Sequence, residues 1–395
     1  MPRIKKLIVD KQMSDESVKQ LEGQWIDPSY ITYPLVQNNI DIYYIQENPD
    51  GSKQEKLLLK FRKQAIPQEL CQLGWKSYKD LAKASRGRGA SAGPIDVTSV
   101  YWKKRNLVKT KKWATGYLNP KGNQLYDTYK DLSLQDLHTI ATQLNIPCNE
   151  NKEELIMQLI KQQNGVSKMK VNNQVASNPI GFYEAGKNFA DLPCRLTHFT
   201  RTNFDKYNQG LPFIQKINQL YKRLTPEAYQ KQYERAYQKP HLTIPKTCFS
   251  TITINRNFRT ALHCDAGDYK EGFGNLCVLE QGKYHGGYTV FPQFGVAIDV
   301  RHGDFLAMDV HQWHSNTEIY ETQEDKEYNE TITSDFHDNP EVGTAGLYKK
   351  YTRISFVCYL REKILQCPDL DKIDPQFLTK SGHNKIISST DTLSC

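Results

Sequence analysis

From residue 247 to residue 360, the apolar positions of the chain fall into short runs separated by turn residues. Six such runs follow one another, rich in β-branched and aromatic side chains: CFSTITIN, NLCVLEQ, GGYTVFP, GVAIDV, GDFLAMD and ISFVCYL. Short strands with turns between them are typical of an all-β barrel or jelly roll. The pattern therefore predicts a β core in this part of the chain.

Helical periodicity precedes this core. Residues 204–238 repeat apolar side chains along one helix face, with Pro226 starting a second helix, and predict helices that buttress one sheet. Residues 129–165 hold another helical pair, which breaks at Pro147. This pair resembles a SAP motif, a helix-extended-helix unit found mostly in DNA- and chromatin-associated proteins, although a plain helical hairpin is a real alternative.

The remaining segments contain turn residues or long polar stretches. Residues 40–65 contain two apolar runs around Asn-Pro-Asp-Gly-Ser and predict a β-hairpin. Residues 167–180 are polar and predict a linker, so that the helical unit is an insertion. We interpret the acidic residues 318–350 as a solvated loop and residues 366–395 as a poorly ordered polar tail.

The composition limits the cellular setting. The nine cysteines are scattered with no CxxC pair, which indicates neither a disulfide framework nor a zinc ribbon and favours a reducing compartment. The N-terminal residues lack the apolar core of a signal peptide, and no apolar run is long enough to span a bilayer. We expect an intracellular protein, neither secreted nor bound to a membrane.

The formal net charge of +8 is compatible with a polyanionic partner. Arg86 and Arg88 lie in the small-residue stretch SRGRGASAG, and the lysines and arginine of residues 103–112 lie between the aromatic residues Tyr101 and Trp102 on one side and Trp113 on the other. Basic and aromatic side chains together suit phosphate contacts and base stacking. A solvated loop is an equally good interpretation of the composition alone.

The segment FRTALHCDAGD carries candidate chemistry. Because residues i and i+2 of a strand share a face, His263 and Asp265 point the same way. A second histidine would complete a 2-His-1-carboxylate set, which is typical of non-haem Fe(II) oxygenases. The chain also contains His302 and Asp304 at this spacing, but they sit in a turn too close to the next histidines for the chain to wrap around a barrel.

Two histidines in DVHQWHSN are candidates for the third ligand, and we prefer His314 to His311 because His314 begins a new strand. Further on, Arg353 and Ser355 share one face of the last core strand. A guanidinium pairs with a carboxylate through two hydrogen bonds, and a hydroxyl adds one more. This pair is therefore a candidate anchor for a carboxylate cosubstrate.

Taken together, HxD, GGYTVFP, GDFLAMDVHQWHSN and RIS resemble the Fe(II)/2-oxoglutarate dioxygenase superfamily. FSTITINRNFRTALHCDAGD, LPCRLTHFT and SRGRGASAG resemble, more narrowly, the TET/JBP group of nucleic-acid base dioxygenases. The resemblance implies an α+β fold with a double-stranded β-helix (jelly-roll) core, buttressing helices and the SAP-like insertion. It divides the chain into six parts: an N-terminal extension (1–39), a first part of the oxygenase domain with the basic-aromatic segment (40–125), the SAP-like unit (126–166), the linker (167–180), the core (181–365) and the tail (366–395).

The resemblance also implies a reaction. Fe(II) is expected on His263, Asp265 and His314, with 2-oxoglutarate on Arg353 and Ser355 and O2 at the remaining position. Oxidation of the 5-methyl group of 5-methylcytosine or thymine in DNA is the expected activity, with the base flipped out of the duplex. We expect substrate contacts from four residues: Asp268, Asn257, Arg86 and Arg88.

Other functions fit the same residues. The chain is alternatively a dioxygenase of protein side chains, similar to prolyl hydroxylases, or of methylated RNA. A nucleic-acid-binding module without catalysis is a further alternative, against which the complete ligand set and Arg353 argue. DNA is the favoured partner, with RNA second, and a nuclear or nucleoid-associated location is expected; oligomeric state is not predicted.

Overall fold

The computed structural model describes residues 4–85, 88–94, 107–109, 115–168, 175–184, 194–333, 335 and 350–372. The strands are β1 Lys5–Val9, β2 Ile40–Glu47, β3 Lys53–Arg62, β4 Ala84–Ser85, β5 Leu107–Lys109, β6 Thr115–Leu118, β7 Val166–Lys168, β8 Val175–Tyr183, β9 Arg195–Leu196, β10 Thr251–Arg256, β11 Gly274–Gln281, β12 His285–Gly286, β13 Thr289–Phe291, β14 Val296–Ile298, β15 Phe305–Met308, β16 Ser315–Asn316, β17 Ile319–Tyr320 and β18 Thr352–Tyr359. The α-helices are α1 Asp15–Gln20, α2 Gln68–Tyr78, α3 Pro120–Tyr129, α4 Leu134–Gln143, α5 Lys152–Gln162, α6 His198–Thr202, α7 Phe204–Leu224, α8 Pro226–Ala236 and α9 Gln323–Thr331.

Two sheets form the core. The large sheet has the order β1-β2-β3-β15-β11-β18-β10-β8-β4, and the small sheet has the order β14-β13-β16. His263 pairs with His314 at the open side of β16, which adds one more segment to the small sheet. Along the chain, the segments from β10 to β18 pass back and forth between these sheets. This is the predicted double-stranded β-helix, and the six predicted strand runs are confirmed.

Each face of the large sheet buries a different core. One face packs against the small sheet through apolar side chains such as Leu276 and Leu306, opposite Phe291 and Ile298. The other face is covered by α2, α7 and α8, with Phe213 of α7 meeting Phe356 of β18 edge to face. The predicted buttressing helices are therefore confirmed, and the cavity described below opens between the sheets rather than under the helices.

The predicted hairpin of residues 40–65 is also confirmed, since β2 and β3 pair antiparallel and β3 extends the large sheet beyond β15. The predicted N-terminal extension contributes to the same sheet, because β1 pairs in parallel with β2.

The helical unit has a core of its own. The two predicted helices correspond to α4 and α5, and α3 precedes them. Ser133 and Asp136 form a reciprocal capping box at α4, and the Asn151 side chain caps α5. Leu137, Ala141, Leu155, Ile156, Leu159 and Ile160 are buried together. The unit lies between β6 and β7, which pair antiparallel; its identity as a SAP motif stays a prediction.

Two segments differ from the sequence-based expectations. Residues 175–180 were expected in a linker, but they form most of β8, which pairs with β10. Small side chains obscured this strand: Ala176 and Ser177 are almost fully buried, and the Ser177 hydroxyl donates to Asn255. The acidic residues 318–350 were expected to be loop, but Thr322 and Asp325 form a capping box that starts α9.

The scattered cysteines indicated no disulfide framework, but Cys194 and Cys367 form a disulfide in the structure. Cys367 lies at the start of the predicted tail, of which residues 373–395 fall outside the described part. Among the helices that the structure describes, none combines the length and the apolar character needed to cross a membrane.

Candidate active site

Strand pairing brings three metal-ligating side chains together. The backbone N–H groups of His263 and His314 each donate to the other residue's carbonyl at 3.0 Å, and the Asp265 N–H donates to the Val310 carbonyl at 3.1 Å. One ligand atom from each of His263, Asp265 and His314 lies within 4.8 Å of the other two. The backbone register of two chain segments thus determines this arrangement.

The imidazoles are oriented for metal binding. Nδ1 of His263 lies 2.7 Å from the Ala261 carbonyl oxygen, and Nδ1 of His314 lies 2.9 Å from the Gln312 carbonyl oxygen. A carbonyl can only accept, so each Nδ1 carries the hydrogen, and in the neutral imidazole this leaves the Nε2 lone pair free to bind a metal. The two Nε2 atoms lie 3.7 and 3.8 Å from the Asp265 carboxylate. Burial and the neighbouring His314 lower the pKa of His263 to about 4, so its imidazole is neutral at pH 7.

The competing residues lie elsewhere. Nε2 of His311 lies 3.2 Å from the Tyr269 carbonyl oxygen, outside the triad. Asp304 is fully buried and accepts hydrogen bonds from Lys63 and from the backbone N–H groups of Gln64 and Arg301. The second His-x-Asp pair therefore holds a turn and does not contribute to the triad.

A cavity of about 320 Å³ opens beside the triad, between the two sheets. Arg353 lines it, and the guanidinium is buried with no hydrogen-bond partner at Nε or Nη2. The buried hydroxyls of Thr289 and Ser315 also line the cavity without partners. Because leaving buried donors unpaired is costly, this group of donors points to an anionic ligand.

Ser355 lies on the same strand face as Arg353 and also lines the cavity. Its hydroxyl accepts a hydrogen bond from the Asn255 side chain at 3.3 Å, and Asn255 in turn accepts from Ser177 at 2.6 Å. The hydroxyl hydrogen of Ser355 is consequently directed away from Asn255. This chain of three side chains reaches from β8 to β18 and fixes Ser355 toward the cavity.

Asn257 does not line the cavity. Its Oδ1 accepts from the Arg353 backbone N–H at 2.7 Å, its Nδ2 donates to the Tyr351 carbonyl at 3.2 Å, and its backbone N–H donates to the Arg353 carbonyl at 2.9 Å. With a φ of 46°, it adopts the left-handed conformation that asparagine tolerates better than most residues. The placement favours a positioning role behind Arg353 over the substrate contact expected from the sequence.

Replacing Asn257 with alanine is expected to raise the KM for 2-oxoglutarate several-fold with little change in the KM for nucleic acid, because the Arg353 backbone loses its clamp. Asn257→Asp keeps the Oδ1 acceptor and should restore most of the affinity. Steady-state kinetics with each substrate varied in turn check this. A selective rise in the nucleic-acid KM would instead support the substrate contact.

The far wall of the cavity carries charged groups from distant segments. Asp268 is buried, with no hydrogen-bond partner at Oδ2, and burial together with the nearby Asp265 raises its pKa well above the usual range. Arg361 pairs with Asp268 through the backbone and donates two side-chain hydrogen bonds to Glu184. Arg88 lines the same cavity, whereas Arg86 and most of the basic segment 103–112 lie outside the described residues.

Several cavity residues could not be anticipated from sequence patterns. In the sequence, Thr289 and Ser315 look like ordinary strand residues, and only the packing of the two sheets shows that they line one cavity. Arg361 and Glu184 are 177 positions apart, and no local spacing connects them. The two-residue period of a strand could have identified two more cavity residues, because it puts Tyr359 and Val357 on the same face of β18 as Ser355.

Comparison with known proteins adds a family match. Residues 178–362 match the Tet_JBP model, described as the oxygenase domain of the 2OGFeDO superfamily. The bifunctional helicase and thymine dioxygenase JBP2 of Trypanosoma cruzi is 37% identical over 142 residues, which are 36% of this chain and 13% of the relative. The thymine dioxygenase JBP1-A of the same organism is 37% identical over 138 residues, which are 35% of this chain and 16% of the relative.

Both relatives are therefore much longer than the matched region. Among solved structures, a chain described as NgTET1 in complex with 5mC DNA aligns with a TM-score of 0.40 and 10% identity, covering 93% of this chain and 98% of that one.

Proposed function

We propose that this chain is an Fe(II)/2-oxoglutarate-dependent dioxygenase that oxidises the 5-methyl group of a pyrimidine base in DNA, because residues 178–362 match the Tet_JBP oxygenase-domain model. The observation that carries the proposal is the shared cavity, which is lined by three side chains able to bind a metal and by the buried Arg353 guanidinium, whose Nε and Nη2 have no hydrogen-bond partner.

The residues fit the metal and the cosubstrate. His263, Asp265 and His314 would hold Fe(II), since their free Nε2 atoms and carboxylate face one another. Arg353 and Ser355 would hold the far carboxylate of 2-oxoglutarate, with the unpaired hydroxyls of Thr289 and Ser315 as further donors in the same cavity. When bound, the iron and the cosubstrate supply the oxidation of an unactivated C–H bond by O2.

The chain's own residues would then bind and position the base. A methyl group within a duplex cannot reach an enclosed cavity, so the nucleotide has to be flipped out, at a cost of about a few kcal/mol. Asp268 would contact the base and Arg88 a phosphate; both residues line the cavity, which supports these roles. Thymine and 5-methylcytosine both carry the methyl group; the curated relatives are named as thymine dioxygenases, which puts thymine first.

Oxidation of RNA or of protein side chains is the second proposal, since the triad and Arg353 serve any such substrate equally. A module that binds nucleic acid without catalysis is less consistent with the unpaired guanidinium, because a buried charge without a ligand destabilises the fold for no gain. With DNA as its partner, the chain would act where DNA is kept, in a nucleus or nucleoid.

The function is tested by incubating the chain with Fe(II), 2-oxoglutarate and four substrates in parallel: unmodified DNA, DNA containing 5-methylcytosine, methylated RNA, and a proline-containing peptide. Nucleoside mass spectrometry should reveal 5-hydroxymethyl products from DNA, together with succinate in equal amount. Products from RNA alone, or hydroxylated peptide with no oxidised nucleoside, would reject the DNA assignment. Comparing the two DNA substrates decides between thymine and 5-methylcytosine.

A further inference from the structure

Trp25 is held on an arginine with its ring partly open to solvent. The Arg259 guanidinium carbon lies 4.8 Å from the centre of the Trp25 ring. Gly93 lies against the ring so closely that a Cβ there would come within 2.2 Å of Trp25 Cζ2. Even so, 36% of Trp25 stays exposed, which makes it the one tryptophan among the exposed large apolar side chains of the described residues. We call Trp25, Arg259 and Gly93 the tryptophan platform.

The tryptophan platform lies at the rim of the cavity. Each member is close in sequence to a cavity-lining residue: Trp25 follows Glu22, Gly93 follows Ser91, and Arg259 precedes Thr260. Three separate chain segments therefore reach the rim at this point.

Backbone hydrogen bonds hold these segments together. The Gly23 N–H donates to the Leu262 carbonyl at 2.8 Å, and the Leu262 N–H donates to the Gln24 carbonyl at 3.0 Å. The Ala261 N–H donates to the Ser91 carbonyl at 3.0 Å. The segments that carry Trp25 and Gly93 thus flank the residues that lead directly into His263. The position of the ring is fixed relative to the metal-ligating strand.

The chemistry of the tryptophan platform selects its ligand. Because Gly93 and Arg259 hold the Trp25 ring in place, its exposed part loses little conformational entropy when a ligand binds. Flat nucleobases stack on aromatic side chains with little regard to sequence. Arg259 orients the ring rather than adding net charge, because its Nη1 lies 3.6 Å from the Glu318 carboxylate and its Nη2 donates to the Ile26 carbonyl. When one nucleotide is flipped into the cavity, its neighbours in the strand are left partly unstacked.

We propose that Trp25 is a stacking surface for a nucleobase of the strand whose flipped nucleotide occupies the cavity. The inference rests on the proposed function, because it takes nucleic acid as the substrate. It adds a contact that is independent of the iron, the cosubstrate and the reacting base.

The test is the affinity of the full chain for fluorescein-labelled single-stranded and duplex DNA, measured by anisotropy at several salt concentrations. Trp25→Ala and Trp25→Leu should each weaken binding about tenfold, because both remove the aromatic face. Trp25→Phe should stay within about threefold of wild type. The slope of affinity against salt should not change, since stacking releases no counterions.

Tyr237→Ala is the matched control, because Tyr237 is similarly exposed, at 38%, but lies at the end of α8, outside the cavity; its affinity should equal wild type. Equal affinities for all Trp25 variants would overturn the inference. If Trp25→Phe lost as much affinity as Trp25→Ala, the inference would also be overturned, because the indole would then only pack the rim of the cavity.

The two hypotheses fail separately. If wild type oxidises DNA and Trp25→Ala binds DNA as tightly as wild type, the stacking surface is rejected and the proposed function stands. If the affinity for DNA depends on Trp25 but no oxidised nucleoside forms, the stacking surface stands and the proposed reaction is rejected.

Discussion

Replacing Asp265 with alanine should remove Fe(II) binding and, with it, all oxidation of DNA. The two imidazoles then remain as neutral ligands with no carboxylate to balance the charge of the metal. Loss of a supporting residue around a metal typically costs 10- to 100-fold in affinity or activity, so loss of a ligand is expected to cost at least about 100-fold. Metal content after dialysis and succinate formation measure the two effects independently.

The chain supplies its own matched control for this experiment. His302 belongs to the second His-x-Asp pair, where its Nδ1 accepts from the Glu280 N–H. His302→Ala should therefore retain metal and turnover. His311→Ala should do so as well, whereas His314→Ala should resemble Asp265→Ala. Retained turnover in Asp265→Ala, or loss of metal in His302→Ala, would show that the triad has been assigned to the wrong residues.

Sequence patterns predicted the elements whose apolar residues are large. The six strand runs of the core and the helices α7 and α8 each bury bulky side chains at the expected period, so their pattern is visible without the fold. β8 was missed because it buries Ala176 and Ser177, whose side chains are too small to reveal an alternation. α9 was missed because its mostly polar sequence hides a helix that starts from a local capping box.

The same distinction applies to the site. The triad could be anticipated because two of its ligands are two residues apart, as on one face of a strand, and the third is a later histidine. Arg353 and Ser355 could be anticipated because they share one face of a strand. Asn257 could not be placed, since its side chain reaches the backbone of residues nearly a hundred positions away. The pairing of Arg361 with Glu184 likewise exists only after β8 and β18 have joined the same sheet.

Replacing Arg353 with alanine should raise the KM for 2-oxoglutarate about 10- to 100-fold, with a smaller effect on the KM for DNA. Hydrogen bonds to a charged group contribute about 1.5–3 kcal/mol, and each 1.4 kcal/mol is tenfold in affinity. Arg353→Lys keeps the charge but loses the two-pronged geometry, so its KM should fall between alanine and wild type. Steady-state kinetics at saturating Fe(II) measure the change.

A cosubstrate analogue distinguishes anchoring from structural support. 2-Oxopentanoate keeps the keto-acid end that would meet the metal but carries a methyl group in place of the far carboxylate. If Arg353 binds that carboxylate, wild type should strongly prefer 2-oxoglutarate over 2-oxopentanoate, and Arg353→Ala should lose the preference because only the charged ligand loses a partner. If the variant instead weakens both ligands equally, Arg353 supports the shape of the cavity, and the unpaired guanidinium atoms have another ligand.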